Sequence, residues 1–275
     1  MKALKKKRNK EHTICLNCGA TCHDEYCPKC GQKTSTHRFQ LKEISSNFIY
    51  YILGGDNKIW HTCANLITRP GHMAREYLLG KRVRYYAPVR LLFFLVALYA
   101  IVAYFVTGAV SPFDIFRPNI ELDYVSSSSA EIFLYYFQKL MGSNVYFALY
   151  AVVINLIPYR IVFRKCLLSR PAGGADSLNI AEHFFALVYQ SCFTMILAFV
   201  LLPLVVFDNG ETIIARISII MPTIYCIILY KQLLGISLGK SIWLNIKALG
   251  LSVLLNFVLI LLIFGLLYGI DSVRG

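Results

Sequence analysis

Long apolar runs without charged side chains dominate the chain after about residue 90. Four stretches of 20 to 25 residues carry no charge, and a fifth apolar run, Thr212 to Tyr230, contains Arg216 near one end. About 20 apolar residues in a helix cross a hydrocarbon core of about 30 Å, and an arginine near a helix end can extend its side chain to the interface. The pattern predicts an all-α integral membrane protein with about five transmembrane helices, at about 91–110, 142–162, 184–207, 212–230 and 248–270.

Composition supports a membrane protein over a soluble one. Apolar residues make up 57% of the 275 residues and charged residues only 16%, against about 25% charged in soluble domains. The mean hydropathy is +0.55. These values exclude a disordered chain, a collagen and a small disulfide scaffold. Buried core helices are the alternative explanation of a single apolar run, but five such runs in one chain disfavour it.

Basic residues are distributed unevenly along the chain, which predicts an orientation. Residues 1–90 carry 17 Lys and Arg against 6 Asp and Glu. With five spans and a cytoplasmic N-terminus, 24 basic residues fall inside and 4 outside, as the positive-inside rule requires. We therefore expect a cytoplasmic N-terminus and an external C-terminus. The first apolar run begins too late for a cleaved leader, so the first span is expected to act as an internal insertion signal.

Two Cys-x-x-Cys pairs near the N-terminus predict a metal site. They form a C-x2-C-x8-C-x2-C pattern, and a glycine follows each pair and permits a tight turn. Two such knuckles facing each other offer four thiolates in a tetrahedron, which suits Zn²⁺ and leaves no open position. The sequence therefore predicts a small N-terminal zinc ribbon with a structural Zn²⁺ held by Cys15, Cys18, Cys27 and Cys30.

Other interpretations of these cysteines stay open at this point. A cytoplasmic location disfavours stable disulfides, and two matched pairs disfavour a lone redox motif. Cys22 and His23 lie in the spacer and could compete as ligands.

Short amphipathic segments connect the cysteines to the first span. Apolar spacing predicts helices over 41–53, 58–67 and Pro70–Leu79, each too short to cross a bilayer. They are expected on the bilayer or under the membrane domain. The predicted domains are a basic tail with the ribbon at 1–37, these interfacial helices at 38–90 and the transmembrane domain at 91–275.

Cations and tyrosines cluster immediately before the first span. At a cytoplasmic interface they suit anionic headgroups, at about 1 kcal/mol per basic residue, although topology control with an aromatic anchor is the simpler explanation. The candidate lipid- or anion-binding residues are Arg69, Arg75, Lys81, Arg82, Arg84 and Arg90.

Two resemblances follow from these motifs. The string Cys27-Pro28-x-Cys30-Gly31-x-Lys33 is similar to the second knuckle of short bacterial zinc ribbons, which mostly bind protein or nucleic acid. The ribbon followed by Arg69-Pro70-Gly71, Arg75-Glu76-Tyr77, Gly80-Lys81-Arg82-x-Arg84-Tyr85 and Pro88 resembles the bacterial membrane family called domain of unknown function 3667. This resemblance implies the architecture of a ribbon followed by several spans and a location in the bacterial inner membrane. It implies no catalytic residue, since the family has no established activity.

No catalytic motif is present in the sequence. It has no Walker loop, no G-x-S-x-G and no H-E-x-x-H. Glu182-His183 could hold a proton or a metal, but capping of a helix at the interface is favoured.

The leading hypothesis is therefore a non-enzymatic membrane protein whose ribbon recruits or senses a cytoplasmic protein partner, seated on anionic lipid. A transporter or lipid-handling permease with a regulatory ribbon is the main alternative. A lipid enzyme using Arg69, Arg75, Glu76 and Lys81 and an RNA tether through the basic front are weaker alternatives.

Overall fold

The computed structural model describes residues 13–36, 38–39, 58–107, 144–170, 174–207 and 211–274, and most of them are helical. Two small antiparallel β-ribbons accompany the helices: β1 (Thr13–Ile14) pairs with β2 (Thr21–Cys22), and β3 (Leu167–Ser169) pairs with β4 (Ala175–Ser177). The α-helices are α1 (Ile59–Thr68), α2 (Pro70–Leu78), α3 (Pro88–Thr107), α4 (Asn144–Val162), α5 (Ile180–Phe207), α6 (Glu211–Leu234) and α7 (Leu238–Arg274).

Four helices of the described part are long and apolar enough to cross a membrane. The candidate spans are Pro88–Val106, Ile180–Pro203, Arg216–Leu234 and Leu238–Leu267. They correspond to four of the five predicted spans and support a membrane protein. Each forms a helix because its backbone donors and acceptors must pair within the segment in hydrocarbon.

The remaining predicted span is the helix α4, which is not among those four candidates. Within the described residues α4 runs antiparallel to α7. Tyr159 Oη donates to Asn245 Oδ1 at 3.0 Å, and Ser252 Oγ, later on α7, donates to Oδ1 of Asn155, earlier on α4, at 2.7 Å. A third contact joins Tyr150 and Asn256. The helix therefore lies alongside a candidate span, and a fifth crossing stays a prediction.

The helix α5 lies at the centre of the bundle, where it packs against α3, α4 and α6. The apolar part of α7 lies at the periphery, since only 6% of its most apolar window is buried against 56% for α5. Its outward Leu, Ile and Val side chains suit a hydrocarbon environment.

Helix boundaries near the predicted cytoplasmic loops differ from the sequence-based expectation. The predicted loop 231–247 is mostly helix, because α6 continues to Leu234 and α7 begins at Leu238. The only connection is a tight turn in which Gly235 adopts a φ of 66°. Lys247 made this segment look like a loop, but its ammonium lies 4.7 Å from the Trp243 ring centre and extends along the helix surface.

Two further segments complete this comparison. The β3–β4 hairpin differs from the sequence-based expectation, which is a loop over 160–183. The helices predicted at 58–67 and Pro70–Leu79 are confirmed as α1 and α2 within about one residue. The amphipathic helix predicted at 41–53 lies outside the described residues.

The helices α2 and α6 cross at very short distance because α2 carries a glycine at the contact. A Cβ atom on Gly71 would lie 2.2 Å from the carbonyl oxygen of Leu229 and 2.6 Å from the backbone nitrogen of Leu233. The Gly71 N–H also donates to Gln232 Oε1 at 3.0 Å. The Arg69-Pro70-Gly71 motif therefore starts α2 at its proline and packs it directly on the backbone of α6.

We expect Gly71→Ala to destabilise the protein by about 3 kcal/mol, since the methyl group meets backbone atoms that cannot rotate away. The free energy of unfolding in detergent, measured by denaturant titration, checks this. Gly250→Ala is the control, because nothing lies within 4 Å of a Cβ at that position on α7. Equal stability of the two variants would contradict the close crossing.

Candidate metal centre and cationic cluster

The ribbon, residues 13–36, consists of two knuckles with the same local geometry. The Gly19 N–H donates to the Cys15 carbonyl at 2.9 Å, and the Gly31 N–H donates to the Cys27 carbonyl at 2.8 Å. Both glycines adopt left-handed backbone conformations, with φ of 73° and 72°. Glycine adopts this conformation without steric cost, so each Cys-x-x-Cys-Gly sequence closes into a turn that presents two thiols on one side.

The four predicted cysteines lie together in space. Their sulfur atoms are all within 4.8 Å of one another. Cys15 Sγ lies 3.5 Å from Cys30 Sγ, and Cys18 Sγ lies 3.6 Å from Cys27 Sγ. A tetrahedral metal with metal–sulfur bonds of about 2.3 Å places its sulfurs about 3.8 Å apart. The sulfur positions therefore fit a four-thiolate centre, and these four residues could hold a metal ion.

Backbone groups of the second knuckle favour the thiolate form of Cys27. Burial raises the pKa of this thiol, but the N–H groups of Cys30 and Lys29 point at the sulfur and, with the thiols of Cys18 and Cys22, lower that pKa to about 6. A ligand cysteine must lose its proton to bind a metal. The knuckle therefore favours the ionised form of Cys27 that a metal ion would require.

The structure places the two spacer residues outside this group of four. Cys22 is buried beside the cluster, but its thiol donates to the Ala20 carbonyl at 3.5 Å. Burial, together with the neighbouring thiol of Cys27, raises the pKa of Cys22 to about 11, which favours the protonated form. His23 is exposed. Neither residue belongs to the group of side chains that could share one metal ion.

One glutamine joins the ribbon to the start of the membrane domain. The Gln32 Nε2 group donates to the Gly80 carbonyl at 2.7 Å, and Gln32 Oε1 accepts from the backbone N–H groups of Arg82 and Val83 at 3.1 and 3.3 Å. Gln32 is 4% exposed. We call these three bonds the Gln32 contact. It fixes the turn after α2 to the second knuckle.

The first knuckle packs on the same turn. A Cβ atom on Gly80 would lie 2.7 Å from Leu16 Cδ1, and Gly80 has a φ of 110°. Only glycine combines this conformation with such a close neighbour. The glycine of the Gly80-Lys81-Arg82 motif therefore provides the surface on which the ribbon lies.

Residues just after the ribbon attach it to α5. Glu182 is fully buried and accepts from Arg38 Nε at 3.0 Å and from Arg170 at 2.8 Å. It also caps α5, because the Asn179 N–H donates to Glu182 Oε2 and the Glu182 N–H donates to Asn179 Oδ1, both at 2.8 Å. The capping role favoured for Glu182 is thus confirmed, and two arginines pair with it.

His183 lies on the next position of α5 and belongs to a buried contact within the bundle. Its Nδ1 atom lies 3.1 Å from the Tyr230 hydroxyl, and the side chain is fully buried. Its surroundings are aromatic, with Phe163 and Tyr230 nearest. It does not join the described cysteine cluster.

A carboxylate organises three of the predicted lipid- or anion-binding residues. Glu76 on α2 lies 4.0 Å from Arg69 Nη1, 3.5 Å from Lys81 Nζ and 3.4 Å from Arg84 Nη1. The Tyr85 hydroxyl donates to the same carboxylate at 2.9 Å. We call Arg69, Lys81 and Arg84 around Glu76 the cationic cluster. Its formal charge is +2, and its members are partly exposed.

The protonation states of Glu76 and Tyr85 depend on each other and on the neighbouring cations. Burial raises the pKa of Glu76, but the hydrogen bond from Tyr85 and the charges of Lys81 and Arg84 outweigh burial and hold that pKa below its usual range. Burial and the adjacent Glu76 carboxylate raise the pKa of Tyr85. At neutral pH Glu76 is therefore an anion, and Tyr85 is a neutral donor.

The other three predicted lipid- or anion-binding residues lie elsewhere. The Arg82 guanidinium lies 3.6 Å from the Phe39 ring centre. Arg90 is 9% exposed and lies 5.4 Å from the Tyr86 ring centre. Arg75 approaches Gly235 just beyond the C-terminus of α6, where the helix dipole stabilises a cation. The sequence shows the charges of these three arginines but not the aromatic rings and the helix end that they contact.

Gln32, Arg38 and Arg170 are site residues that sequence reasoning missed. Two of them contact groups far away along the chain: the Gln32 contact spans 48 residues and the Arg38–Glu182 pair 144, whereas Arg170 lies 12 residues before Glu182. No local pattern marks such contacts. A polar residue directly after the knuckle glycine, where a solvent-facing side chain is unremarkable, is the only signal for Gln32.

The comparisons with known proteins support one of the two resemblances. Residues 56–100 match the sequence model of a family described as a protein of unknown function, DUF3667. This segment contains α1, α2, the cationic cluster and the first part of α3. The ribbon lies outside the matched segment. No curated protein and no solved structure matches the chain.

Proposed function

We propose that this chain is a non-enzymatic protein of the bacterial cytoplasmic membrane whose cytoplasmic ribbon holds a structural Zn²⁺ and recruits a protein partner. The observation that carries the proposal is the Gln32 contact, which fixes a closed four-thiolate unit to the end of a membrane bundle. Four thiolates leave no coordination position for a substrate, so the metal maintains a surface rather than performing chemistry.

The distribution of basic residues supports a cytoplasmic ribbon. The ribbon contacts the turn before α3, and Arg38 contacts the start of α5, so these helix ends share one side with it. The connections on that side belong to the regions that carry 24 of the 28 basic residues, if the chain crosses five times. The positive-inside rule places them in the cytoplasm, with the C-terminus outside.

The outer side of the ribbon offers apolar contact area. Ile14 precedes the first knuckle and Tyr26 precedes the second, at equivalent positions, and their exposed fractions are 72% and 57%. Leu16 and Gln32 face the turn, so the ribbon has an inner side bound to the chain and an outer side that the described residues leave exposed. Exposed aliphatic and aromatic side chains on a rigid scaffold suit a protein partner.

Copurification from membranes after brief crosslinking tests this function. We expect the intact protein to capture a cytoplasmic protein that an Ile14→Ser/Tyr26→Ser variant loses, although the variant retains equimolar zinc. Leu167→Ser is the control, because Leu167 is also 54% exposed but lies on β3 outside the ribbon. Identical capture by all three proteins would reject recruitment through this surface.

A transporter or permease is the second candidate, favoured by the polar contacts between α4 and α7. Tyr159–Asn245 and Asn155–Ser252 join these helices at different depths, and Cys226 and Gln190 extend the first pair toward α6 and α5. Polar side chains in spans usually join helices, but a continuous row could also accompany a solute. Flux in proteoliposomes that falls in Asn155→Leu or Ser252→Ala proteins of normal stability would favour transport over recruitment.

A further inference from the structure

The outward side of α1 carries an apolar stripe that the rest of the described chain does not cover. Trp60 is 85% exposed and Ile67 is 54% exposed, and Ala64 between them is also exposed. Spacings of four and three residues place them on one side of the helix. A soluble helix normally exposes polar residues at such positions, so this stripe indicates an apolar neighbour outside the described part of the chain.

The position of α1 indicates that this neighbour is the bilayer. The Tyr225 hydroxyl donates to the Leu66 carbonyl at 3.1 Å, and Tyr225 belongs to the candidate span Arg216–Leu234, nine residues before its end. The helix therefore lies alongside the membrane-spanning part rather than beyond it. Tryptophan is enriched at membrane–water interfaces, which agrees with Trp60 on the outward side.

A polar stripe adjoins the apolar one and leads to the cationic cluster. His61, Asn65 and Arg69 follow one another at intervals of four residues, and Arg69 Nε donates to Asn65 Oδ1 at 2.5 Å. The Asn65 amide nitrogen lies 3.2 Å from His61 Nε2. The His61 ring stacks on Tyr85, with ring centres 5.6 Å apart. Consecutive helix residues project about 100° apart, so the two stripes are neighbours on α1.

We propose that this edge of α1 binds an anionic phospholipid of the surrounding bilayer. The phosphate lies at Arg69, Lys81 and Arg84, whose three charges exceed the single charge of Glu76. The acyl chain lies along Trp60, Ala64 and Ile67. The excess positive charge discriminates against zwitterionic lipids, because their headgroups bring a cation as well as a phosphate. This inference requires membrane insertion but does not depend on partner recruitment.

Quenching of Trp60 by brominated lipid tests the proposal. The chain has two tryptophans, so Trp243→Phe leaves Trp60 as the only tryptophan, which is excited selectively over the tyrosines. This protein is reconstituted in vesicles of phosphatidylcholine that contain a minor fraction of brominated phosphatidylglycerol or of brominated phosphatidylcholine. We expect the anionic lipid to be enriched at Trp60 about tenfold or more, because each excess cation near the surface increases the attraction about fivefold.

A variant separates the headgroup site from the apolar stripe. Lys81→Gln/Arg84→Gln should abolish the preference for phosphatidylglycerol while quenching by brominated phosphatidylcholine persists, which also shows that α1 is still in place. Arg164→Gln/Lys165→Gln removes the same charge from exposed positions after α4 and should retain the preference.

Four outcomes would overturn the proposal. If neither brominated lipid quenches Trp60, α1 does not lie in the membrane. Equal quenching by both lipids in the parent protein would show that no anionic headgroup site exists at α1. An unchanged preference for phosphatidylglycerol in the Lys81/Arg84 variant would show that these two residues do not form it. Displacement of phosphatidylglycerol by soluble glycerol phosphate would show a site for a water-soluble phosphate compound instead. None of these outcomes affects the zinc content or the captured partner by which the proposed function is judged.

Discussion

Cys15→Ser/Cys18→Ser protein is expected to lose stoichiometric zinc and to unfold across residues 13–36 while the bundle still inserts into membranes. The buried apolar core of the ribbon, within the described residues, is essentially the cysteines themselves with Ala20. We expect such a unit to need a bound metal to fold, since metal binding contributes roughly 10–16 kcal/mol in small zinc domains. Elemental analysis of purified protein measures the zinc, and limited proteolysis measures the unfolding.

Two matched variants isolate the role of the metal. Gln32→Ala keeps all four thiolates but breaks the Gln32 contact, so it should retain equimolar zinc and admit protease only around the Gly80–Val83 turn. Cys63→Ser changes a cysteine outside the ribbon and should behave like the parent protein. Equimolar zinc in the Cys15/Cys18 variant, or a parent protein purified without metal, would reject the metal centre.

Glu182→Gln is expected to lower the free energy of unfolding by about 3 kcal/mol or more. The variant leaves Arg38 and Arg170 without their carboxylate at a fully buried position, and removing one member of a buried ion pair strongly destabilises a protein. Arg38 is partly exposed, so water compensates part of the ion pair that its guanidinium loses. Denaturant titration in detergent measures the change.

An exposed ion pair provides the comparison for this prediction. Glu25 lies 3.2 Å from Lys33, and both side chains are more than half exposed. Glu25→Gln should change stability by less than about 1 kcal/mol, because surface pairs are screened by water. Similar losses in the two variants would show that Glu182 acts only as a helix cap.

Most helices of this fold could be predicted because each carries its own signal. The spans are apolar runs of membrane length, and Pro70 at the first turn marks α2. The β3–β4 hairpin could not be predicted, because strands of three residues are too short to show a period. The sequence places the start of α7 too late, because its charge-free run begins only after Lys247, whereas the helix itself begins at Leu238.

The cysteine cluster could also be predicted, because the geometry of each knuckle is local. For the lipid- or anion-binding residues, the sequence predicts the charges but not their partners. A sequence gives the charge of Arg82 and Arg90 but not the rings they cover, and it gives Glu76 as one acid among many bases. Only the tertiary structure shows that this carboxylate collects Arg69, Lys81 and Arg84 while the other arginines pair elsewhere.

The crossing at Gly71 has a consequence for biogenesis. Its contact residue Gln232 lies 161 residues later in the chain, and ribosomes add about 5–20 residues per second. The α2 backbone that will meet α6 is therefore synthesised roughly 8 to 30 s before its partner leaves the ribosome. During that interval the amphipathic helices α1 and α2 must rest on the lipid surface or on an insertase, and docking can finish only after α6 has entered the bilayer.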